Sequence, residues 1–205
     1  WLAIIALVLN GCASDPSRTP GQPRATAQNP INPSDITITS VTEGLRLASL
    51  SREPLASTFR AKAAKLALAQ GQFEDANRIL ALIQASNIAP SARVDYVLTK
   101  AQLFLIDGDA SQALALLNQN NLTEFGLSIQ DQIDLGITKA NAYEQTGRML
   151  AAARTRTLIT PILTDAAATD NHEQLFNGLM TLPTALLKRY ATDAATNDLR
   201  GWLSL

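Results

Sequence analysis

Three glycines stand in the same setting along this chain, and that setting restricts how it can fold. Gly71, Gly108 and Gly147 each follow an apolar helical stripe and precede another. Seven residues before each lies an alanine: Ala64, Ala101 and Ala140. Five residues after each lies another: Ala76, Ala113 and Ala152. The stretch from Phe59 to Ile83 shows the pattern most fully. Phe59, Ala63, Leu66 and Ala67 form one stripe at helical spacing, and Phe73, Ala76, Ile79, Leu80 and Ile83 form a second. Gly71 lies between them, where a chain leaving a helix adopts a left-handed conformation that costs glycine little. Each unit therefore predicts two antiparallel helices joined by a tight turn, with small residues where the helices cross.

The recurrence, at a spacing just above ~34 residues, resembles tetratricopeptide repeats. The resemblance implies an all-α fold, a right-handed α-solenoid of helical hairpins. The third copy departs from the pattern after its turn, since Arg156 stands where Leu80 and Leu117 stand in the first two. The alternative is a helical bundle, because an alanine-rich chain matches small-residue positions easily.

Around these units the sequence predicts further helices. Leu45, Leu47 and Leu50 fit a short first helix ending before Pro54. Ala89-Pro90 breaks the chain after the first hairpin, since proline disfavours helix at the residue before it. The next stripe is Val94, Val97, Leu98, Ala101, Phe104 and Leu105. Asp109 with Gln112 has capping-box spacing, Leu114, Leu116 and Leu117 face inward, and 118–121 reads as a loop. Ser128 is expected to cap a long helix with the stripe Ile129, Ile133, Ile137 and Ala140. Leu158, Ile159, Ile162 and Leu163 close the third hairpin around Pro161. Asn171 and Gln174 suggest another capped start. Leu175, Leu179, Leu182, Leu186 and Leu187 follow, interrupted by Pro183.

Charge and composition exclude several chemistries. Seventeen basic against eighteen acidic residues leave a net charge of −1 and no basic patch, so no nucleic-acid partner is expected. The single cysteine, Cys12, excludes a disulfide framework, and the single histidine, His172, excludes a multi-histidine metal site. No nucleophile has a base beside it and no glycine-rich phosphate loop occurs, so no catalytic residue, metal or cofactor is assigned. His172 reads as a solvated residue near a helix start. Glu74 suits the positive end of a helix dipole, and Asp131 and Asp134 lie on a helix face. Tyr143 and Trp202 read as packing residues.

The amino-terminal part has a different character. Leu2 to Leu9 is an unbroken apolar run, Leu-Ala-Ile-Ile-Ala-Leu-Val-Leu. It is too short for a bilayer-spanning helix of ~20 residues. Its length suits the apolar centre of a signal peptide, whose charged start is expected before Trp1. Leu9-Asn10-Gly11-Cys12 then resembles a bacterial lipobox, with Asn10 where Ala, Ser or Thr is more usual. That resemblance implies cleavage before Cys12 and acylation of its thiol and new amino group. Several acyl chains anchor firmly, since each buried methylene adds ~0.8 kcal/mol. Ala13 rather than aspartate after the cysteine implies sorting to the outer membrane. Residues 13–40 read as a disordered tether. Pro16, Pro20, Pro23, Pro30 and Pro33 are scattered among polar residues, with no apolar face to offset the entropy of ordering. A coil of ~28 residues averages about 30 Å end to end and a polyproline-like one approaches ~85 Å. The expected domains are thus a signal segment at 1–12, the tether at 13–40 and a helical repeat domain at 41–205.

This layout is similar to that of the LpoA-type outer-membrane lipoproteins, which activate class A penicillin-binding proteins. The lipobox, the tether, the repeats with Ala64, Gly71 and Ala76, and the closing Leu199-Arg200-Gly201-Trp202-Leu203-Ser204-Leu205 carry the likeness. The family implies direct stimulation of an inner-membrane peptidoglycan synthase, mainly through a downstream domain resembling periplasmic binding proteins. That domain is expected to follow Leu205. The resemblance carries over Cys12 as lipid attachment site and no docking residue, and it implies no catalytic activity. A general envelope scaffold and the helical part of a lytic transglycosylase remain as alternative readings.

Overall fold

The structure is a computed structural model and describes residues 37–203. Cys12, the lipobox and nearly all of the tether lie outside the described residues, as do Ser204 and Leu205. The described chain is all-α, a tetratricopeptide-like array of helical hairpins. In order the helices are α1 (Val41–Leu50), α2 (Leu55–Ala69), α3 (Phe73–Ala81), α4 (Pro90–Ile106), α5 (Ala110–Gln119), α6 (Ile129–Gln145), α7 (Met149–Ile159), α8 (Asp165–Met180), α9 (Thr184–Thr192) and α10 (Arg200–Leu203). Short 3-10 segments lie at Ala85–Asn87, Leu122–Phe125, Thr160–Ile162 and Ala194–Leu199.

The three hairpins are α2–α3, α4–α5 and α6–α7, and their turns are superimposable in hydrogen bonding. Gly71, Gly108 and Gly147 have φ of 74°, 83° and 74°. The amide of each glycine donates three residues back, to Leu68, Leu105 and Glu144. The following amide donates five residues back: Gln72 to Ala67, Asp109 to Phe104, and Arg148 to Tyr143. This double bond is the Schellman arrangement, which satisfies carbonyls a helix end otherwise leaves orphaned.

The same turns explain why the expected capping box at Asp109 does not form. Asp109 is at once the second residue after α4 and the residue before α5, and its φ/ψ is −90°/49°. Gln72 and Arg148 share that conformation. A side chain caps from extended backbone, as Ser40 (ψ 156°) and Ser128 (ψ 161°) do in accepting from the amides of Glu43 and Asp131. Gln112 instead donates to the Asp109 carboxylate at 3.1 Å.

The small residues close the crossings as expected. Ala64, Ala76, Ala101, Ala113 and Ala140 are fully buried, and Ala152 nearly so. α2 packs on α1, α3 and α4, α4 on α5 and α6, and α6 on α7, so each hairpin stacks on the next. Two glycines bring helix pairs closer still. A Cβ on Gly136 in α6 would fall 2.2 Å from Ile159 Cγ2 of α7. One on Gly44 in α1 would fall 2.8 Å from Ile38 Cδ1 and 2.9 Å from Ala63 Cβ of α2. Ile38 is thereby packed on the core, so ordered packing starts upstream of Val41.

Two expected faces are corrected. The inward face of α6 is Leu135, Gly136, Thr138, Ala140 and Ala142, whereas Ile129 is 64% exposed and Ile137 is also exposed. Leu158 is 79% exposed rather than closing the third hairpin, and Ile159 takes that role. The main core runs from Ala61 to Ala142 and includes Leu80, Leu98, Leu103 and Leu117. Each such leucine contributes roughly 1.5–3 kcal/mol on burial. A second, smaller cluster gathers Ala153, Leu175, Leu179 and Leu199, with Leu150, Trp202 and Leu203 packed against it.

Candidate functional site

The first, third and fifth hairpin helices carry a line of charges across the stack. Lys65 on α2 reaches Asp95 on α4 at 2.8 Å and Asp131 on α6 at 3.4 Å, and Lys62 lies 3.5 Å from Asp95. Burial works against the Lys65 ammonium, but Asp95, and behind it Asp131 and Asp134, outweigh it and hold its pKa above the ordinary lysine value. Asp131 is therefore a partner of Lys65 as well as of Ser128, whose hydroxyl donates to it at 2.7 Å.

A different arrangement lies between the third hairpin and α8. Arg156 on α7 is 1% exposed, as buried as Leu117. Its Nε donates to Glu144 at 2.7 Å, its Nη2 to Asn141 at 2.9 Å and its Nη1 to Asn171 at 3.2 Å. Asn171 in turn donates to the Arg156 carbonyl at 2.9 Å and the Thr160 hydroxyl at 3.0 Å. Asn171 is thus an interior residue of α8, not a cap. The helix starts after Thr164, with Asp165 in its first turn. An open cleft adjoins this network, and its lining includes Arg156, Asn171, Ile133, Ile137, Leu163 and Asp170.

At the carboxyl-terminal end, His172 is neither solvated nor at a helix start. It sits half-buried within α8, its ring 5.0 Å from that of Trp202 and inclined 55° to it. Trp202 packs on the second apolar cluster, which fixes the closing Leu199-Arg200-Gly201-Trp202-Leu203 segment against α8. Among the described residues no group of three His, Cys, Asp or Glu is placed to hold a metal ion. Among them, too, no helix is long and apolar enough to cross a membrane.

Residues 37–205 match the family described as LppC putative lipoprotein. The chain belongs to this family. Its fold is shared with solved LpoA structures. The amino-terminal domain of E. coli LpoA superimposes with a TM-score of 0.64 at 17% identity, covering 84% of this chain and 75% of that one. The LpoA amino-terminal domain from Haemophilus influenzae gives 0.61 at 20% identity, covering 83% and 77%. Full-length LpoA from Haemophilus influenzae gives 0.59 at 20% identity over 83% of this chain, which spans only 31% of that structure. No match was found among curated protein sequences.

Within this LppC-family chain, reading the sequence singled out Cys12, which lies outside the described residues, and missed the Arg156 network. A signal for the network was present. Glu144 lies three residues before Gly147, where Leu68 and Leu105 precede Gly71 and Gly108. Arg156 lies nine residues after Gly147, where Leu80 and Leu117 follow their glycines. The third hairpin thus carries an ion pair at two positions that are both leucine in the first two.

Proposed function

We propose that this chain is the anchor and helical spacer of an outer-membrane lipoprotein that activates a class A penicillin-binding protein. The observation that carries this reading is the extent of the family match. It takes in the whole stacked array and the Trp202 segment that closes it, and the array has the fold of LpoA amino-terminal domains. A lipobox-like Leu9-Asn10-Gly11-Cys12 upstream supports lipid attachment at Cys12, with sorting to the periplasmic side of the outer membrane. A stacked array makes a stiff body that suits reaching across a gap. The synthase contact belongs mainly to a binding-protein-like domain beyond these residues, and the array performs no catalysis of its own.

Two measurements test this. Metabolic labelling with a palmitate analogue should mark the wild-type protein and not Cys12→Ala, with the label in the outer-membrane fraction. Equal labelling of both removes the anchor. In a reconstituted assay with purified synthase and lipid-linked precursor, the gene product carrying this chain should stimulate glycan polymerisation and cross-linking. No stimulation of any class A synthase from the same cell would leave a general envelope scaffold, and cleavage of purified peptidoglycan would identify a transglycosylase.

A further inference from the structure

The chain that leads into the array packs before its first helix begins. Ile38 lies on the core, its Cδ1 so close to Gly44 that a Cβ there would fall 2.8 Å from it and 2.9 Å from Ala63 Cβ of α2. From residue 37 to residue 40 the exposure alternates: Thr37 and Thr39 are exposed, Ile38 and Ser40 half-buried. Ser40 has extended backbone, with φ −148° and ψ 156°. The Thr39 amide donates to the Glu43 carboxylate at 2.8 Å, which holds the approach in this phase. In an extended chain every second residue lies on the same side. The residue next in phase with Ile38 is Ile36. It stands out by composition, since from Ala13 to Asp35 the only large aliphatic residue is Ile31.

A groove lies beside this entry. Thr37 and Ile38 form one border, Lys62, Leu66 and Ala69 of α2 another, and Asp95 of α4 closes it. It encloses about 460 Å³, within the size range of ligand clefts. Lys62, Leu66 and Ala69 are spaced i, i+4 and i+7, so they share one face of α2. Lys62 lies 3.5 Å from Asp95, which pairs the charges of the groove with each other. Leu66, half-buried, and Ala69, exposed, make an apolar step beside them. Two extended residues advance about 6.6 Å and one helical turn about 5.4 Å, so Ile36 is carried about one turn of α2 away from Ile38. Leu66 and Ala69 lie one to two turns of α2 beyond Ala63, beside Ile38. A segment joined to its groove needs little intrinsic affinity, because the linkage supplies an effective concentration that a free ligand lacks.

We propose that this groove is the seat of the chain's own approach segment, with the Ile36 side chain on the Leu66–Ala69 step. The array then grips its linker one residue pair upstream of Ile38, and the free tether departs from the α2 face. The contact is independent of the synthase-activating role proposed above.

The full chain, kept in detergent and labelled on isoleucine, leucine and alanine methyl groups, reports the contact directly. Nuclear Overhauser cross-peaks should link the Ile36 methyls to those of Leu66 and Ala69, with relative intensities unchanged on dilution. Ile36→Ser should shift the Leu66 and Ala69 methyls and leave those of Leu117 in place. Ala69→Asp, on an exposed position, tests the seat from the groove side. It should abolish the Ile36–Leu66 cross-peak while leaving the helical circular dichroism unchanged. Absence of the cross-peaks in the wild-type chain overturns the proposal, as do Leu66 and Ala69 methyls unmoved by Ile36→Ser. Cross-peaks that fade on dilution also overturn it, and give the groove to a second copy of the chain.

Discussion

The first two hairpins and the third share a backbone and differ in what they bury. In α2–α3 and α4–α5 the position nine residues after the turn glycine is the buried Leu80 or Leu117, and the position three residues before it is the partly buried Leu68 or Leu105. In α6–α7 the same two places hold Arg156 and Glu144, joined at 2.7 Å. The turn hydrogen bonds and the alanine crossings are nevertheless the same in all three. The hairpin geometry is therefore set by the glycine turn and the small residues at the crossing, and the pair beside it is free to change chemistry. What it cannot do is change by halves, since a buried charge without its partner is far more costly than either complete pair.

The largest expected effect comes from making half of that exchange in the second hairpin. Leu117→Arg would place a guanidinium among apolar neighbours with Leu105, not a carboxylate, in register. It should cost about 3–5 kcal/mol, read as a fall in the chemical denaturation midpoint. Adding Leu105→Glu transplants the third hairpin's pair and should recover a substantial part. If Leu117→Arg alone is tolerated, the equivalence of the two positions is wrong.

The reverse exchange should be milder. Arg156→Leu restores the residue of the other hairpins but strips partners from Glu144, Asn141 and Asn171. Glu144 is partly exposed and can turn to water, so the loss should be about 2 kcal/mol rather than that of a fully buried pair. Arg156→Leu with Glu144→Met should regain most of it. A double variant no more stable than the single one would mean that Asn141 and Asn171, not the ion pair, carry the joint.

How much of this was legible differs along the same line. The turns and crossings were, because a left-handed glycine and an alanine between helices are local requirements stated residue by residue. The inward face of α6 was not. Its buried side uses Gly136, which admits Ile159, and Thr138, which accepts from Gln102 at 3.3 Å. Ile129 and Ile137 are exposed and Ile133 is only half-buried, so of the expected apolar stripe Ala140 alone is fully inside. Asn171 misled in the same way. An asparagine ahead of a leucine stripe favours a helix start locally, but here Arg156 holds it inside α8, a tertiary demand that overrides the local preference.

A smaller and uniform effect would separate backbone from packing. A Cβ on Gly71, Gly108 or Gly147 would meet nothing within 4 Å, so replacing any of them by alanine adds only the strain of positive φ. Each should cost about 1–2 kcal/mol. The three losses should be equal to within a few tenths despite the different pairs nearby. A markedly larger loss at Gly147 would show that the ion pair depends on its turn and is not interchangeable with the leucines.

The smallest effect concerns the charges that run between hairpins rather than within one. Lys65 ties α2 to α4 and α6 through Asp95 and Asp131, but its side chain is 39% exposed, so water screens the interaction. Its contribution should be no more than about 0.2–1 kcal/mol, reduced further by salt. The folded pKa of Lys65 is raised above its ordinary value near 10.5. Stability from a raised lysine pKa is fully present below the unfolded value and is lost as pH rises through the folded one. Lys65→Met should therefore be slightly less stable than wild type from neutral pH up to about pH 10, with the gap closing above the ordinary lysine range. Raising salt at pH 7 should narrow the same gap. A wild-type-to-Lys65→Met gap that is unchanged by both salt and high pH would assign the difference to the packing of the lysine stem, and not to its charge.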